Sequence, residues 1–406
     1  MAATATDPNA PPPRSLPPLL RLQQLGRVLE QEFLDKQDII RLMLLSTLAG
    51  EHMLIIGPPG TAKSALVSSL ARLLSARYFE YLLTRFSEPN ELLGPIDLHA
   101  FREGVYRRRS EQMLPVAEVA FLDEIFKANS AILNSLLTLL NERRLHIGSE
   151  RLEVPLLALF AASNEMPSDD SLEALLDRFL VRIVSKNLES YSFHRLLEVG
   201  LRHESRDARS GPGSGSGSGE LKPLLTGDEL RALQRELRGR LHFSEEFLSV
   251  YKSLIFQIRG EGISLSDRRA VRLLKLCAAS AMLDGREQAD TGDLTVLRYV
   301  WNSPEQSELL DAIVQPILER HRREHPLAAT DPRRAAANLD DLLSELGRVR
   351  DVLSHAAELS DIQLFSQLRT LGGLRAALAS YPGETPTRLL GEIDVLLEAL
   401  FSSARF

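Results

Sequence analysis

The sequence predicts an α/β protein, in which a parallel sheet with helices on both faces is followed by a purely helical region. Between residues 51 and 185, short apolar runs alternate with segments whose apolar residues recur at helical spacing. From Ser244 onward the apolar spacing is helical throughout. The chain has 406 residues, which fits about two to three domains.

The predicted elements of the α/β part can be placed in order. Two amphipathic helices come first, and a glycine then ends the second helix and leads into the first strand. Later strands are apolar enough to be buried on both faces, as a parallel sheet requires. The predicted helices span 19–30, 36–48 and 127–141; the strands span 53–56, 78–84, 119–123, 156–162 and 180–184; a hairpin spans 145–154; and 87–118 is a loop.

A glycine-bearing loop lies between the strand Met53–Ile56 and a helix, which is the context of a phosphate-binding loop. Its backbone N–H groups and the helix dipole would converge on phosphate oxygens. Lys63 would contact the β- and γ-phosphates, and the Ser64 hydroxyl would ligate Mg²⁺. Ala62 departs from the strict pattern, which has glycine there, but a small side chain still permits close approach. The predicted binding residues are Gly57, Pro58, Pro59, Gly60, Thr61, Ala62, Lys63 and Ser64.

Two adjacent carboxylates, Asp123 and Glu124, follow the apolar run Val119–Leu122. Asp123 would hold Mg²⁺ through water, and Glu124 would act as the general base on the attacking water. A solvated strand end would be the default interpretation of this pair alone. About 55 residues after a phosphate loop, the pair indicates ATP hydrolysis rather than binding alone.

Two further polar residues are candidates for the site. Asn164 follows the strand 156–162, where α/β sheets place residues that contact ligands, and it could orient the attacking water. The alternative is an asparagine in an ordinary turn. Arg178 is either a solvated arginine or a guanidinium that reaches the γ-phosphate held by a neighbouring subunit.

The second half of the chain begins with a Gly/Ser repeat at 213–219, within a polar stretch that predicts a flexible linker. Thr226 opens a helix with a capping box. Ser266 or Asp267 caps another helix, which places Arg268 and Arg269 in its first turn. One of these arginines could contact phosphates, and the alternative is a basic residue on a solvated face. Residues 306–406 carry no chemical motif and are predicted to be a helical interaction module.

Composition narrows the functional classes. A net charge of −7 argues against nonspecific DNA binding through the whole surface. Cys277 is the single cysteine, which excludes a disulfide framework and a cysteine-rich zinc site. The first eighteen residues are rich in Ala and Pro and resemble a disordered tail rather than a signal peptide. No apolar run approaches the ~20 residues of a membrane span. We therefore expect a cytoplasmic protein.

These motifs in this order resemble the AAA+ ATPases, specifically the MoxR family and most closely its RavA (regulatory ATPase variant A) subgroup. The residues that carry the resemblance are Gly57–Ser64, Tyr81–Ser87, Phe121–Ile125, Ala131–Leu137, Asn141–Arg143, Ala161–Glu165 and Ser266–Arg269. The resemblance covers about residues 19–305. The chain departs from the subgroup in residues 306–406, which show no β-rich insertion.

The resemblance implies a role for each candidate residue. Asn164 is similar to the sensor 1 residue, Arg178 to the arginine finger that acts in trans, and Arg268 to the sensor 2 arginine, with Arg269 as the alternative. It also implies ATP and Mg²⁺, a homohexamer, a five-stranded P-loop core with a helical lid, and a von Willebrand factor A (vWA) domain partner. The implied boundaries are a tail at 1–18, a core at 19–204, a linker at 205–225, a lid at 226–305 and a helical module at 306–406.

Three functions are compatible with these features. The first is an ATP-driven, chaperone-like machine that remodels a protein client. The second is a nucleic-acid motor similar to the minichromosome maintenance helicases, which share an insertion corresponding to Glu91–Met113; the acidic balance argues against it. The third is a nucleotide-gated assembly scaffold, against which the intact Glu124 argues.

Overall fold

The computed structural model describes residues 16–104, 108–147, 150–167, 172–187 and 222–325, together with separate segments between 343 and 403. Residues 1–15 of the tail predicted at 1–18, the Gly/Ser repeat and residues 326–342 lie outside the described residues, whereas Pro18 already begins a helix. The chain forms two compact units, and the first extends through the helix that ends at Glu324.

A five-stranded parallel sheet forms the centre of the first unit, as the sequence predicts. The strand order is β2-β3-β6-β1-β7, so β1 lies between β6 and β7. Every residue of β1 and β6 is buried, which explains why both strands are almost wholly apolar. The strands are β1 (His52–Ile56), β2 (Tyr78–Leu82), β3 (Val119–Asp123), β4 (Arg144–Ile147), β5 (Glu150–Glu153), β6 (Ala158–Ser163) and β7 (Phe179–Val184).

Seven helices accompany the sheet within the described part of residues 16–187. The two predicted N-terminal helices are confirmed, and Gly50 ends the second in a left-handed conformation with a φ of 63°. The helices are α1 (Pro18–Glu32), α2 (Gln37–Ala49), α3 (Lys63–Leu73), α4 (Pro89–Leu93), α5 (Leu98–Arg102), α6 (Ser130–Glu142) and α7 (Glu173–Leu176). The antiparallel pair of β4 and β5 confirms the predicted hairpin.

The structure differs from the sequence prediction in two places. The predicted loop at 87–118 contains the short helices α4 and α5, because a Glu88–Glu91 capping box and the Asp97 carboxylate satisfy their first N–H groups. Such short helices have too few residues to show an apolar period. The helix predicted from residue 127 begins at Ser130, where Asn129 caps it and accepts a hydrogen bond from the Ile132 amide.

Four longer helices follow within residues 222–325: α8 (Gly227–Gly239), α9 (Glu245–Gly260), α10 (Asp267–Leu283) and α11 (Ser307–Glu324). Thr226 forms the predicted capping box with Glu229, and Ser266 is the residue that caps α10. The segment Thr291–Tyr299 is a 3₁₀ helix rather than the predicted α-helix. Cys277 is buried in the hydrophobic core.

The second unit has its own small apolar core. Leu371, Leu374, Leu378 and Ile393 are buried there, and the helix α12 (Glu384–Ser403) supplies the last of them. The described part of residues 343–403 is helical, in agreement with the predicted α-helical module.

Candidate active site

The phosphate loop lies between the ends of three strands. The Gly57 amide, directly after β1, donates to the Ser163 carbonyl at the end of β6 at 3.0 Å. A Cβ on Gly57 would lie 2.2 Å from the Ser185 carbonyl oxygen, which follows β7, so the close approach requires glycine. Gly60 has a φ of 82°, in the left-handed region that also favours glycine. Steric constraints on a side chain therefore explain the glycine at each of these two positions.

The helix α3 begins within the loop. Ala62 is its N-cap residue and has a φ of 61°, although it carries a side chain. The Lys63 ammonium folds back over the loop and donates to the Gly57 and Pro58 carbonyls at 2.7 and 2.8 Å. Burial lowers the pKa of Lys63, while the Asp123 and Glu124 carboxylates act in the opposite direction. Lys63 is thus a buried cation beside the predicted carboxylate pair.

The carboxylates follow β3, and Asn164 follows β6, the strand next to it. Glu124 is buried and has a left-handed backbone, with a φ of 53°. Its Oε1 accepts a hydrogen bond from the Asn164 Nδ2 at 2.5 Å and lies 3.4 Å from the Lys127 Nζ. The structure thus brings the two candidates Glu124 and Asn164 into direct contact.

Two lysines near the site were not predicted from the sequence. Lys127 pairs with Glu124 across one turn, and its position three residues after a candidate base was an available signal. Lys36, at the start of α2, is buried and donates to the Ser185 hydroxyl and the Lys186 carbonyl at 3.2 and 2.8 Å. It thereby holds the segment against which Gly57 packs, and no local motif indicates that contact.

The donors at the carboxyl edge fit Mg²⁺. Asp123 Oδ1 accepts the Glu124 amide at 3.0 Å, and within the described part of the chain no protein group bonds its second carboxylate oxygen. The Ser64 hydroxyl lies in the first turn of α3. A hydroxyl and a carboxylate oxygen are hard ligands of the kind Mg²⁺ prefers, and this ion keeps several waters. The described residues hold no cluster of three or more His, Cys, Asp or Glu side chains suited to a metal.

Arg178 lies at the opposite, amino edge of the sheet. It directly precedes β7, whose first residue is level with His52 at the start of β1, whereas the phosphate loop follows the end of β1. The Arg178 side chain is 19% exposed and pairs with Asp177 at 3.1 Å. Burial lowers its pKa, and the positive charge of Arg268 lowers it further.

Arg268 lies at the same edge and is exposed. Its Nη2 donates to the Asn141 side chain at 2.8 Å, and the residue that caps α10, Ser266, donates to Asp177 at 2.9 Å. One turn further along α10, Arg272 forms an ion pair with buried Glu51, directly before β1. The start of α10 is therefore fixed against the amino edge.

Arg269 is buried, unlike Arg268, with 2% of its surface exposed. Its guanidinium donates to the Val300 and Leu180 carbonyls at 3.1 and 3.3 Å, and burial lowers its pKa to about 10. Arg182 of β7 is buried with it and shares the Asn302 side-chain oxygen as an acceptor. Arg269 is thus engaged in joining α10 to the sheet, which leaves Arg268 as the exposed arginine of the pair.

Within the described residues, no helix is both long enough and apolar enough to span a membrane.

Comparison with known proteins matches two stretches of the chain to known families. Residues 20–215 match the family described as the MoxR domain in MoxR–vWA–β-propeller ternary systems, and residues 247–314 match the AAA lid domain. In fold, the chain is similar to the crystal structure of a candidate ATPase from Cytophaga hutchinsonii, with a TM-score of 0.57 at 19% identity. That match covers 74% of this chain and 95% of the other.

The relatives extend the match along the sequence. An uncharacterized protein of Methanocaldococcus jannaschii is 33% identical over 83% of this chain and 92% of its own length. The protein MoxR of Paracoccus denitrificans is 31% identical over 40% of this chain and 49% of its own. The chaperone MoxR1 of Mycobacterium tuberculosis is 27% identical over 36% and 40%. These matches do not distinguish the RavA subgroup, which stays a prediction. The chain belongs to the MoxR family of AAA+ ATPases.

Proposed function

We propose that this protein hydrolyses ATP at the interfaces between subunits of a homohexamer and uses the energy to remodel a protein client. The observation that carries the proposal is the division of the candidate residues between two edges of one sheet. Lys63, Glu124 and Asn164 lie at the carboxyl edge, and Arg178 and Arg268 lie at the amino edge.

The carboxyl edge would bind the nucleotide and activate water. The loop Gly57–Ser64 would hold the phosphates through its N–H groups, and Lys63 would leave the two carbonyls it now contacts for the β- and γ-phosphates. Glu124 would take a proton from the water whose oxygen attacks the γ-phosphorus, while the bond to the ADP oxygen breaks. Asn164 would orient that water.

Magnesium would be held by Ser64 and, through water, by Asp123. When bound, it would neutralise charge on the phosphate oxygens. Asn164 and Lys127 both contact Glu124 Oε1. Asn164 would therefore orient the water directly beside the base.

The arginines of the amino edge would act on the nucleotide of a neighbouring subunit. The five residues of β1 separate this edge from the phosphate loop by about 17 Å, at about 3.4 Å per residue. An arginine side chain is too short to span that distance. Arg268 is fixed at the same edge by Asn141, so we propose that it too acts in trans rather than on its own subunit's ATP.

The partner and the client are inferred from relatives. The matched domain family occurs in systems with a vWA protein and a β-propeller, which supports a vWA-domain partner for this chain. One relative is a chaperone, which supports a client that is a protein rather than a nucleic acid.

The test is a mixing experiment with two inactive variants. Glu124→Gln should lower turnover about 10²- to 10⁴-fold, as the loss of a general base does. Arg178→Ala should lower it about 10³-fold, because an arginine finger is lost. In a 1:1 mixture, Arg178→Ala subunits supply intact carboxyl edges and Glu124→Gln subunits supply intact arginines. Intact interfaces then form about a quarter of a randomly mixed ring of heterologous contacts, so the mixture should recover a similar fraction of the activity.

The matched control is a mixture of Lys63→Ala with Glu124→Gln. Both of these changes lie at the carboxyl edge, so no interface in that mixture has an intact edge and no activity should return. Recovery in the control, or full turnover by Arg178→Ala alone, would contradict the proposed division of the site between subunits.

A further inference from the structure

A cationic cavity opens where α8 meets the stretch between β5 and β6. Its volume is 520 Å³. The apolar side is formed by Val154–Leu157, and the charged side is formed by Arg143, Arg231, Arg235 and Arg238 against one acid, Asp228. The cavity lies at the amino edge of the sheet, because Leu157 directly precedes β6, and it is therefore separate from the phosphate loop.

Two of the arginines are fixed in place. Arg143 donates to the Leu156 and Gly50 carbonyls at 2.5 and 2.6 Å. Arg231 donates to Asp228, Glu118 and the Pro155 carbonyl. These contacts fix the two guanidinium groups in place against the protein.

The other two arginines, Arg235 and Arg238, are exposed at the mouth of the cavity. Within residues 222–325 and the rest of the described chain, no carboxylate pairs with either of them. They lie four and seven residues after Arg231, so all three project from one face of α8, where like charges repel. Burial lowers the pKa of Arg143, and the charges of Arg238, Arg272 and Arg231 add to that effect while Glu51 opposes it. The cavity thus concentrates positive charge that the described protein groups do not balance.

We propose that this cavity binds a small anion with several phosphate charges. Guanidinium groups offer paired N–H donors that match phosphate oxygens, and converging arginines are the usual means of holding that chemistry. The volume falls within the range of about 300–1,000 Å³ for small-molecule sites. Because Arg143 belongs to the sheet region and Arg235 and Arg238 belong to α8, a bound anion would tie the two together.

The test measures inorganic pyrophosphate binding by calorimetry at physiological salt, with the full-length protein. In a Lys63→Ala background, in which the phosphate loop is impaired, one pyrophosphate should still bind per chain. Arg235→Ala/Arg238→Ala in the same background should weaken that binding about tenfold or more, because two charge-assisted contacts are lost. Wild-type protein should bind two pyrophosphates per chain and the arginine double variant one, which gives a result independent of the Lys63 change.

The matched control is Arg240→Ala/Arg322→Ala, which also removes two positive charges but none from the cavity. If it weakens pyrophosphate binding equally, only the general surface charge is involved and the proposal fails. It fails too if the Arg235/Arg238 variant binds like wild type, or if a glutamate hexapeptide binds there and pyrophosphate does not. If the wild-type cavity binds no pyrophosphate and the Arg235/Arg238 variant has a changed oligomeric state, the arginines would instead contact a neighbouring copy of the chain, and the proposal fails.

ADP is a second probe, which distinguishes two sources of the anion. If ADP binds in the cavity, the ligand is a phosphorylated metabolite; if only pyrophosphate binds, the ligand is a free anion.

Discussion

The two edges of the central sheet are built differently. At the carboxyl edge, Glu124 and Asn164 directly follow two adjacent strands, and the phosphate loop follows the next one. At the amino edge, the two candidate arginines and the asparagine that one of them contacts come from distant segments: Arg178 before β7, Asn141 at the end of α6 and Arg268 at the start of α10. The first edge is assembled by strand order, and the second by the packing of the helical lid.

The amino edge also carries the buried charges that join the lid to the sheet. Buried Glu51 pairs with Arg272 and Lys275 of α10. Arg182 and Arg269 are buried side by side and bond backbone carbonyls and Asn302 rather than carboxylates. At this edge, we expect the exposed arginines to contribute to turnover and the buried arginines to contribute to stability. Single substitutions can test this expectation.

The largest expected difference in turnover and in unfolding free energy is between variants of the adjacent residues Arg268 and Arg269. Arg268→Ala should reduce ATP turnover of the assembled protein about 100-fold, as loss of a charged donor at a reacting group does. Its unfolding free energy should stay within about 0.5 kcal/mol of wild type, because the side chain is exposed. Arg269→Ala should lower the unfolding free energy by about 3 kcal/mol, since it leaves buried carbonyls unpaired and a void.

Turnover assays and chemical denaturation of both variants check this comparison. Equal losses of stability in the two variants would show that Arg268 is structural as well, and would remove the reason to assign it to a neighbouring ATP.

His52, at the start of β1, is expected to have a smaller effect, on the pH dependence of stability. Burial, with the nearby charges of Arg143 and Arg272, lowers its pKa from 6.5 to about 3, and its Nδ1 accepts the Leu159 amide. The folded state thus requires a neutral imidazole ring. The contribution of His52 to the free energy of unfolding is fully present above pH 6.5 and is lost as the pH falls towards 3. At pH 5 this one site should cost about 2 kcal/mol of stability relative to pH 7.5.

Replacing His52 with asparagine, whose carbonyl oxygen can still accept the Leu159 amide, should remove that part of the pH dependence. Denaturation at pH 7.5 and pH 5 measures it, with the exposed His242→Asn as the control. An unchanged loss of stability in His52→Asn would mean that other groups dominate acid sensitivity at this edge.

The smallest effect belongs to the carboxyl edge. Ala62 holds a left-handed conformation that costs a residue with a side chain about 1 kcal/mol or more. Ala62→Gly should therefore raise the unfolding free energy by at most about 1 kcal/mol, because the conformational entropy that glycine loses on folding offsets part of the relieved strain. Gly60→Ala, at a φ of 82°, is the opposite change in the same loop and should be destabilising. A destabilised Ala62→Gly would show that the left-handed conformation of Ala62 carries no strain.

The sequence alone determined most of the carboxyl edge. The loop Gly57–Ser64, the carboxylates Asp123 and Glu124 and the strand-ending Asn164 were predictable because each follows its own apolar run, and parallel strands bring such ends together. The alternation of elements also predicted the five strands, and the helical spacing from Ser244 onward predicted the helical region that follows them. Local patterns did not predict α4 and α5, which are too short to show a period.

Only the tertiary structure decided which side chains at the amino edge are exposed and which are buried. Arg268 and Arg269 are equivalent in the sequence, but the turn of α10 exposes the first and buries the second against Leu180 and Val300. The contacts of Lys36 with Ser185, and of Lys127 with Glu124, likewise depend on where chain segments meet. Periodicity reports which face of an element is apolar, whereas the partner of a charged side chain is fixed only when distant segments pack together.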